Sequence, residues 1–468
     1  MNKFYLTTTL PYVNADPHLG FAMEIVQADI IARFHQLSGE EVVFNTGTDE
    51  HGTKIYEAAL AQNKDPQTYT DEYAKRFDSL KQSLNLSYTN FIRTTNPDHK
   101  KAAQEFWKRC FQNGDIYKKN YKVKYCVGCE LEKTDSELEN AHCPVHPNLE
   151  IQEIAEENYF FKFSKYQEPL LALYKNNPDF VLPDYRLKEI HEFVQNGLQD
   201  FSISRLKEKL PWGVPVPGDD KHVMYVWFDA LVNYISTIGW PVDEEKFNSY
   251  WPGIQFAGKD NLRQQSAMWQ AMLMSAKLPS SKQIIIHGFI TSSGQKMSKS
   301  LGNVINPFEL VEKYGTDPIR FFIAHDLNTF EDSDVTLERV AESYNSNLAN
   351  GLGNLVARVA KICEKNNIKT PTTVSEFDSQ VVKALNKYLF NEALGVIWEK
   401  ITEADRRINE TRPWELSEID SHPILEELVL KIQNIAFNLQ PFMPETAEKI
   451  LAQFSKEIKS STPLFPRI

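Results

Sequence analysis

The N-terminal part of the chain alternates between strand-like and helix-like patterns of apolar residues. Residues 4–9 are β-branched and aromatic, which predicts a buried strand, and residues 41–45 have the same character. Between them, apolar residues recur at helical spacing, and Asp16 followed by Pro17 predicts the helix start. A strand, a helix and a second strand in this order predict an α/β fold with a doubly wound, Rossmann-like parallel sheet.

This pattern is interrupted further along the chain. Residues 65–113 predict amphipathic helices, whereas residues 158–217 mix aromatic strand-like runs with short helical pieces and end in a stretch rich in proline and glycine. We interpret the interruption as an insertion into the sheet domain. The sheet is expected to resume in the stretch of residues 223–234 and to continue with a buried strand at residues 284–289.

The C-terminal part of the chain predicts a helix bundle. Apolar residues recur at helical spacing between Leu348 and Ile362, and similar patterns occupy residues 380–408 and 424–455. The patterns together predict the first half of a sheet domain, a connective insertion, the second half of the sheet domain, a linker and an all-α domain, at residues 1–117, 118–218, 219–325, 326–340 and 341–468.

The composition is that of a globular protein with several domains. The chain has 468 residues, of which 42% are hydrophobic, enough to bury more than one core. Its formal net charge of −12 gives no general attraction to nucleic acid, so any RNA contact must come from a local patch. The sequence shows neither a signal-peptide core nor an apolar run of membrane-spanning length, so we expect no membrane contact and a cytoplasmic location.

Three of the five cysteines are clustered in a pattern typical of a metal site. Cys126 and Cys129 are followed by Cys143 and His146, and two residues separate the members of each pair. Three thiolates and one imidazole can surround Zn²⁺ tetrahedrally, and four protein ligands leave no position open for catalysis, so the spacing predicts one structural zinc. Free thiols beside an unrelated histidine are the alternative, and His142 is a competing ligand that breaks the spacing.

Two stretches are suited to binding phosphate. The loop at residues 294–300 reads G-Q-K-M-S-K-S, in which Lys296 and Lys299 can follow charge on a phosphoryl group and Ser298 adds a hydroxyl donor. A solvated basic turn is the alternative interpretation of this loop. His18 and Gly20 lie at the predicted helix start, where free amides and the positive end of the helix dipole favour phosphate.

Together these stretches resemble the paired signatures of the class I aminoacyl-tRNA synthetases. The lysine loop matches the K-M-S-K-S loop of that family letter for letter, and residues 18–21 match its H-x-G-H motif except that Phe21 replaces the second histidine. The resemblance implies that His18, Lys296 and Lys299 are catalytic. It also implies an ATP site, with Mg²⁺ accompanying the ATP, that consists of His18, Gly20, Gly258, Asp260, Lys296, Ser298 and Lys299.

Other stretches resemble the methionyl-tRNA synthetases in particular. Residues 47–52 match their G-T-D-E-H-G stretch and residues 227–230 their W-x-D-A stretch. The resemblance implies that Asp49 and the backbone carbonyl of Leu10 face the α-ammonium of methionine. Gln265 stands where relatives often have a histidine. The implied methionine pocket consists of Leu10, Tyr12, Asp49, Trp227, Ala230, Leu231, Tyr234 and Gln265. Without the resemblance, Trp227 and Tyr234 would be interpreted as core residues on one helical face.

The resemblance also implies an anticodon reader on the helical domain, at Asn354, Arg358 and Trp414. Because tryptophan side chains are usually buried, the sequence leaves open that Trp414 is a core residue. About 100 residues separate Lys118 from Gly218, which is too few for the editing domain of relatives that charge leucine, isoleucine or valine.

The implied activity is ATP-dependent ligation of L-methionine to tRNA(Met), both elongator and initiator, through a methionyl-adenylate. We expect a monomer, because the sequence lacks the C-terminal module with which some relatives dimerise. Two alternatives remain open at this point. One is a ligase for another amino acid such as cysteine, and the other is a catalytically silent tRNA-binding paralogue.

Overall fold

The structure is a computed structural model that describes residues 2–133, 135–292, 294–297, 303–370 and 376–468. The chain divides into two compact units. The first unit comprises Met1–Pro17, Glu41–Ser79 and Tyr88–His287, and the second comprises His18–Glu40, Leu80–Ser87 and Gly288–Ile468.

The secondary structure of the described residues is as follows. The strands are β1 (Lys3–Thr7), β2 (Glu41–Thr48), β3 (Asn90–Arg93), β4 (Ile116–Cys126), β5 (Leu131–Lys133), β6 (Gln152–Phe161), β7 (Val181–Leu182), β8 (Phe201–Ser202), β9 (Ser204–Leu206), β10 (Pro215–Val216), β11 (Asp219–Met224), β12 (Ile254–Gly258), β13 (Gln283–His287), β14 (Ile290–Ser292), β15 (Gln295–Lys296) and β16 (Ser333–Asp334). The helices are α1 (Leu19–Leu37), α2 (Thr53–Ala61), α3 (Pro66–Asp78), α4 (Leu80–Ser83), α5 (Pro97–Gln112), α6 (Gln167–Asn176), α7 (Asp184–Gln195), α8 (Val226–Ala230), α9 (Asn233–Ser236), α10 (Glu244–Tyr250), α11 (Trp269–Ser275), α12 (Pro307–Tyr314), α13 (Thr316–His325), α14 (Leu337–Ser343), α15 (Asn354–Lys365), α16 (Ser379–Leu385), α17 (Phe390–Thr411), α18 (Glu418–Leu439) and α19 (Pro444–Gln453). Two π-helical segments, Gln264–Met268 and Tyr344–Gly353, precede α11 and α15.

The first unit is built on a parallel sheet. Its described strands lie in the order β3-β2-β1-β12-β13-β7, and every neighbouring pair is parallel. Leu6, Phe256 and Ile285 on the central strands are fully buried. Continuous burial is expected for parallel strands that are covered on both faces. The α/β fold predicted from the alternating pattern is therefore confirmed.

The sheet differs from the prediction in three places. β3 and β7 form its two edges, and neither was predicted, because runs of four and two residues carry almost no periodicity. The stretch of residues 223–234 does not resume this sheet. Its first two residues, Val223 and Met224, end β11, which pairs antiparallel with β9 and β10, and the parallel sheet resumes only at β12. An apolar alternation shows that a strand exists but does not show which sheet it joins.

A second, antiparallel sheet carries the cysteine cluster. Its described strands lie in the order β5-β4-β6-β8, and β4 pairs with β6 over their whole lengths. One end of this ribbon, at Ile116 and Phe161, belongs to the main hydrophobic core of the first unit, together with Phe106 and Phe228. The other end of β4 is Cys126. The ribbon therefore links the core of the unit to the candidate metal ligands.

Helix α1, in the second unit, begins later than predicted. Its N-cap is His18, whose Nδ1 accepts a hydrogen bond from the Gly20 N–H at 3.1 Å. Asp16, the predicted cap, lies in the first unit and pairs there with Arg76 at 2.5 Å. A carboxylate engaged by arginine is not available for capping, so the prediction was wrong by two residues. Gly20 remains in the first turn of α1, but the N–H groups of this turn are engaged, because Leu19 donates to the carbonyl oxygen of Ile305 and both Phe21 and Ala22 donate to that of His18.

The second unit is mainly helical and has its own core. Phe321 on α13 stacks on Trp398 of α17 with ring centroids 4.5 Å apart. Arg320 is fully buried, pairs with Asp29 of α1 at 2.8 Å, and donates to carbonyl oxygens between α18 and α19. These contacts join α1, α13 and the C-terminal helices. None of the helices that the structure describes is sufficiently long and apolar to cross a membrane.

Candidate functional site

Three neighbouring strands of the parallel sheet end beside the predicted site residues. The chain passes Leu10 and Tyr12 after β1, Asp49 after β2, and Gly258 and Asp260 at the end of β12. Tyr12 forms a parallel bridge with Asp49, which extends the strand pairing beyond the sheet. Open α/β sheets bind ligands at this carboxyl edge. The edge is therefore the candidate site in the first unit.

Asp49 is the acidic centre of this edge. It is buried, and its Oδ1 has no hydrogen-bond partner among the described residues. Burial raises the pKa of its carboxyl well above the ordinary value, and the carboxylates of Asp229 and Glu130 raise it further, although the backbone N–H of His51 opposes them. A buried carboxylate with an unpartnered oxygen and acidic neighbours is an environment that a substrate cation would stabilise.

The two residues after Asp49 have structural partners. Glu50 is buried and accepts from Nε and Nη2 of Arg93 at 2.6 and 2.9 Å. His51 Nδ1 lies 2.6 Å from one oxygen of Asp229, and His99 Nε2 lies 2.8 Å from the other. Burial raises the pKa of Asp229, but the two histidines outweigh it and lower the pKa to about 2. Asp229 is therefore ionised at neutral pH and adds negative potential near Asp49.

An aromatic wall lies beside Asp49. The rings of Tyr12 and Trp227 meet edge to face with centroids 6.5 Å apart, and both side chains are only partly buried. Trp227 Nε1 has no hydrogen-bond partner among the described residues. Aromatic faces of this kind make favourable contacts with a thioether. Tyr12 and Trp227 thus provide an apolar surface next to the acidic centre.

The remaining predicted pocket residues lie deeper. Ala230, Leu231 and Tyr234 are buried, on two short helices and the turn between them instead of the single helical face that their spacing predicts. Gln265 belongs to a π-helical turn, and its Nε2 donates to the Tyr234 hydroxyl at 2.7 Å. Helical periodicity does not reveal a π-turn, which is a feature frequent at functional sites. The structure brings Gln265 and Tyr234 together.

The predicted metal ligands converge on one point. Their donor atoms all lie within 4.8 Å of one another, and the set is Cys126, Cys129, Cys143 and His146. Cys129 Sγ is 3.5 Å from Cys143 Sγ and 3.2 Å from His146 Nδ1. Tetrahedral zinc with ligand distances of about 2.0–2.3 Å has edges of about 3.3–3.8 Å. These two separations are close to such edges, others are longer but within 4.8 Å, and three sulfurs with one imidazole nitrogen are a donor set that suits Zn²⁺. His142 lies outside the group, with its Nδ1 2.9 Å from a backbone carbonyl oxygen.

A close contact explains the glycine between the first two cysteines. A Cβ on Gly128 would lie 2.4 Å from Cγ of His146, so a larger residue would displace the imidazole. All five cysteines are free of disulfides, which favours a metal site over a disulfide framework. The turn between Cys126 and Cys129 is thus shaped to bring the histidine over the thiolates.

The lysine loop, in the second unit, begins as a hairpin. β14 and β15 pair antiparallel, and Gly294 between them has φ +73° and donates its N–H to Asp334 at 2.7 Å. Ser298 and Lys299 lie outside the described residues, and only the backbone of Lys296 is described. The start of this hairpin is therefore defined, while the assignment of its lysines stays a prediction.

The first turn of α1 lies near this hairpin within the same unit. A Cβ on Gly20 would be 3.0 Å from the ring of His18 and 3.8 Å from Cε of Met297. In the first unit, a Cβ on Gly258 would lie 2.8 Å from the carboxylate of Asp260. A side chain at Gly20 would therefore press on the His18 ring, and one at Gly258 would require the Asp260 carboxylate to move.

The predicted anticodon residues are close together on the second unit. The guanidinium of Arg358 lies 6.0 Å from the ring centroid of Trp414 and is held by Asp405 at 2.7 Å and Asn409 at 2.6 Å. Asn354 is exposed one turn before Arg358 on α15. Trp414 is 43% exposed, so the alternative that it is a core residue is wrong.

Several residues near the site were not singled out from the sequence. They include Glu130, Arg93 and His99, which contact Tyr12, Glu50 and Asp229 respectively. Asp229 stands among apolar residues in the sequence and Glu50 follows the predicted strand at residues 41–45, which indicates that each needs a basic partner when it is buried. The sequence offers no way to choose those partners, because they lie tens of residues away along the chain.

Comparisons with known proteins extend over both units. The family described as tRNA synthetases class I (M) matches residues 4–153 and 132–360. The methionine–tRNA ligase of Thermotoga maritima is 40% identical to this chain and covers 98% of the chain and 76% of its own length. The methionine–tRNA ligase of Brucella suis is also 40% identical, over 96% of this chain and 91% of its own length.

Solved structures of methionyl-tRNA synthetases also match this chain. The methionyl-tRNA synthetase of Mycobacterium tuberculosis in complex with methionyl-adenylate matches with a TM-score of 0.92 and 34% identity, covering 100% of both chains. Its apo form matches with a TM-score of 0.84 and 33% identity, covering 100% of this chain and 98% of that one.

Proposed function

This chain belongs to the class I methionyl-tRNA synthetases, and from that premise we propose that it ligates L-methionine to tRNA(Met). The methionine carboxylate attacks the α-phosphate of ATP and releases pyrophosphate. The 3′-terminal ribose hydroxyl of the tRNA then attacks the methionyl-adenylate and releases AMP. Phosphoryl transfer of this kind depends on positioning and charge stabilisation, and it needs no protein nucleophile.

The observation that carries the proposal is the environment of Asp49. An unpartnered, buried carboxylate oxygen lies next to the aromatic wall of Tyr12 and Trp227. An α-amino acid with an apolar side chain presents an ammonium group and an apolar body, which an acidic group and an aromatic surface can each receive. We assign the ammonium to Asp49 and the carbonyl of Leu10, and the thioether to the pocket of Tyr12, Trp227, Ala230, Leu231, Tyr234 and Gln265.

ATP is assigned to separate sets of residues in the two units. In the first unit these are Gly258 and Asp260, at the end of β12, and in the second unit they are His18, Gly20, Lys296, Ser298 and Lys299. Mg²⁺ enters with the ATP phosphates, because no group of acidic side chains suited to a dedicated metal site occurs among the described residues.

The test of substrate choice is amino-acid-dependent exchange of labelled pyrophosphate into ATP. Exchange that requires methionine supports the proposal, and cysteine serves as the comparison because a cysteine ligase is the alternative within the class. Exchange with cysteine alone would contradict the specificity. Absence of exchange with any amino acid would support a silent tRNA-binding paralogue.

Lys299 is proposed to stabilise charge on the transferring phosphoryl group. Lys299→Ala should lower the activation rate by roughly 10²–10³ with little change in methionine affinity, as for other donors that act in the transition state. Lys313→Ala, which changes a lysine on α12, is the matched control. An unchanged exchange rate in Lys299→Ala would contradict the assignment.

The Cys₃His group is proposed to hold one structural Zn²⁺. Four protein ligands leave no coordination position for a substrate, so the metal would stabilise the fold of the insertion. Cys129→Ser should release the metal, and Gly128→Ala should weaken its binding by pushing His146 aside, whereas His142→Ala should keep it. Elemental analysis of the purified proteins measures these outcomes, and finding no zinc in the unchanged protein would exclude the site.

Asn354, Arg358 and Trp414 are proposed to read the anticodon of elongator and initiator tRNA(Met). An exposed indole can stack on an unpaired base, a contact worth roughly 1–3 kcal/mol, and the polar side chains can bond base edges. Trp414→Ala should leave pyrophosphate exchange near normal but sharply lower tRNA charging. Ile419→Ala, at an 85% exposed apolar position on α18, is the control. Normal charging by Trp414→Ala would reject the assignment.

The location of the protein, its oligomeric state and its domain boundaries are further proposals. We propose that the protein is a cytoplasmic monomer, which sedimentation and cell fractionation can test. The domain boundaries predicted from the sequence, at residues 117–118, 218–219, 325–326 and 340–341, are retained as proposals. Limited proteolysis should cleave at 218–219 and 325–326, which lie at the ends of elements, more readily than at 117–118 and 340–341, which lie inside β4 and α14.

A further inference from the structure

Glu130 directly follows the metal ligand Cys129 and has an unusual backbone conformation. Its φ is +51°, in the left-handed region that residues with a side chain rarely adopt. Its N–H donates to the carbonyl of Val127 at 3.3 Å, which closes the cysteine turn. The side chain is buried instead of pointing to solvent. Strained backbone that orients a buried carboxylate usually serves a function of that carboxylate.

The carboxylate of Glu130 contacts Tyr12 of the proposed methionine site and the start of α2. Its Oε2 accepts from the hydroxyl of Tyr12 at 3.3 Å, and its Oε1 accepts from the backbone N–H of Lys54 at 3.0 Å. Lys54 is in the first turn of α2, the helix that follows the stretch containing Asp49. The approach is close, since a Cβ on Gly52 would lie 2.8 Å from Oε2 of Glu130.

A reciprocal contact strengthens this connection. The ammonium of Lys54 donates to the carbonyl of Gly128 at 2.9 Å, and Gly128 is the residue on which His146 packs. The turn from Cys126 to Glu130 therefore touches the metal ligands on one side and the substrate edge on the other. A change in the conformation of this turn must alter the position of Glu130.

We propose that Glu130 is a positioning residue that couples the metal knuckle to the methionine pocket by holding Tyr12 and the start of α2. The inference rests on the proposed function, because it takes Tyr12 to be part of the methionine pocket. Without the carboxylate, the Tyr12 hydroxyl and the Lys54 N–H lose their shared acceptor. The Tyr12 ring is then no longer held in its edge-to-face contact with Trp227, and methionine affinity falls.

The experiment measures methionine affinity at equilibrium, without ATP, by titration of intrinsic tryptophan fluorescence. It uses the unchanged protein and Glu130→Ala, each with its metal and after chelation, and zinc content is measured in parallel. Glu139→Gln is the matched control, because Glu139 is an exposed glutamate of the same knuckle. Glu130→Ala should weaken methionine binding roughly tenfold or more, the scale for losing hydrogen bonds to a charged group, while zinc content stays unchanged.

Non-additivity is the decisive result. Chelation should weaken methionine binding by the unchanged protein, but it should have little further effect on Glu130→Ala, because the coupling residue is already absent. Equal effects of chelation on the two proteins, or normal affinity of Glu130→Ala, would overturn the proposal. If the unchanged protein binds no methionine, the proposed function fails instead.

Tyr12→Phe provides a second test if Glu130→Ala does not fold or loses its metal. It removes only the hydroxyl that Glu130 accepts from and leaves the knuckle intact. Chelation should then change methionine affinity less than in the unchanged protein. An undiminished effect of chelation in Tyr12→Phe would show that Tyr12 does not carry the coupling and would overturn the proposal.

Discussion

Two buried aspartates, one in each unit, have opposite electrostatic environments. In the second unit, Asp29 is surrounded by Arg320 at 2.8 Å, Arg33 at 2.7 Å and the hydroxyl of Ser87 at 2.7 Å. Burial raises the pKa of Asp29, but its arginine neighbours outweigh it and hold the pKa below the ordinary value. In the first unit, Asp49 has acidic neighbours, an unpartnered oxygen and a strongly raised pKa.

The difference separates a carboxylate that holds the fold together from one that is arranged for a ligand. Removing either partner of a buried, fully hydrogen-bonded ion pair strongly destabilises the fold, because the other charge is left uncompensated. An ionised carboxylate without a partner lowers the stability of the free protein and gains its partner only when a cation binds. We therefore propose that the same residue type serves stability in one unit and recognition in the other.

Asp317 shows that an unpartnered oxygen alone does not identify a carboxylate that is arranged for a ligand. It is buried and its Oδ1 has no partner among the described residues, yet its Oδ2 accepts from the Thr446 N–H at 2.6 Å. It also lies in the first turn of α13, where the helix dipole favours a negative charge. Asp49 differs because it combines the unpartnered oxygen with acidic neighbours at the carboxyl edge of a sheet.

The largest expected effect tests the structural half of this comparison. Arg320→Ala should lower the free energy of unfolding by about 3–5 kcal/mol, because it leaves Asp29 charged, buried and short of a partner. Urea denaturation measures this loss. Lys313→Ala, a surface change on the neighbouring helix α12, should stay within about 0.5 kcal/mol of the unchanged protein. A loss below about 1 kcal/mol for Arg320→Ala would mean that the buried pair is not structural.

The next effect tests the recognition half. Asp49→Asn should weaken methionine binding by about 1.5–3 kcal/mol, because it removes the charged partner of the ammonium group. It should leave the melting temperature of the ligand-free protein unchanged or higher, whereas Asp29→Asn should lower it. Calorimetric titration and thermal denaturation measure the two properties, with the exposed Asp98→Asn as control. A large drop in melting temperature for Asp49→Asn would show that Asp49 stabilises the fold, as Asp29 does.

The smallest expected effect concerns pH. The ammonium of methionine prefers the ionised form of Asp49, whose pKa is raised in the free protein by burial and by Asp229, Glu130 and Glu50. Methionine binding should therefore strengthen as pH rises through that raised pKa, by at most about tenfold per pH unit, and then level off. Asp49→Asn should remove this dependence, which equilibrium titrations between acidic and neutral pH can measure.

The pH response of Asp29 should appear in stability instead of in binding. Its pKa in the folded protein is lowered, so its contribution to stability is present above its unfolded pKa of about 3.9 and is lost as pH falls through the folded value. Thermal denaturation in acid should show this loss, and Arg320→Ala should reduce it. Loss of stability that sets in at neutral pH would indicate another titrating group.

Much of the fold was predictable because its signals are local. β1 and β2 are short runs of apolar β-branched and aromatic residues, and the helices of the C-terminal part show helical spacing of apolar positions. β3 and β7 were not predictable, because each becomes a strand only by pairing with an edge of the sheet. The start of α1 was misplaced because the predicted cap, Asp16, is engaged by Arg76, a residue of α3.

The candidate site divides in the same way. Residue types at fixed spacing singled out the candidate metal ligands, the lysine loop and the acidic stretch around Asp49, since the chemistries proposed for them need particular donors close together in the chain. The partners of the acidic residues, Arg93 for Glu50 and two histidines for Asp229, come from distant segments. The position of Glu130 beside Tyr12 likewise depends on how the metal ribbon folds back onto the sheet.

By itself, the sequence determined the α/β class, the helical C-terminal part and the donor set of the metal site, because short-range periodicity and spacing are written into consecutive residues. Only the tertiary structure decided that Asp29 is paired and Asp49 is not, that Trp414 is exposed, and that Glu130 connects the knuckle to Tyr12. The physical reason is that pairing, burial and pKa depend on which distant side chains meet, and the chain settles that only when its hydrophobic surfaces pack.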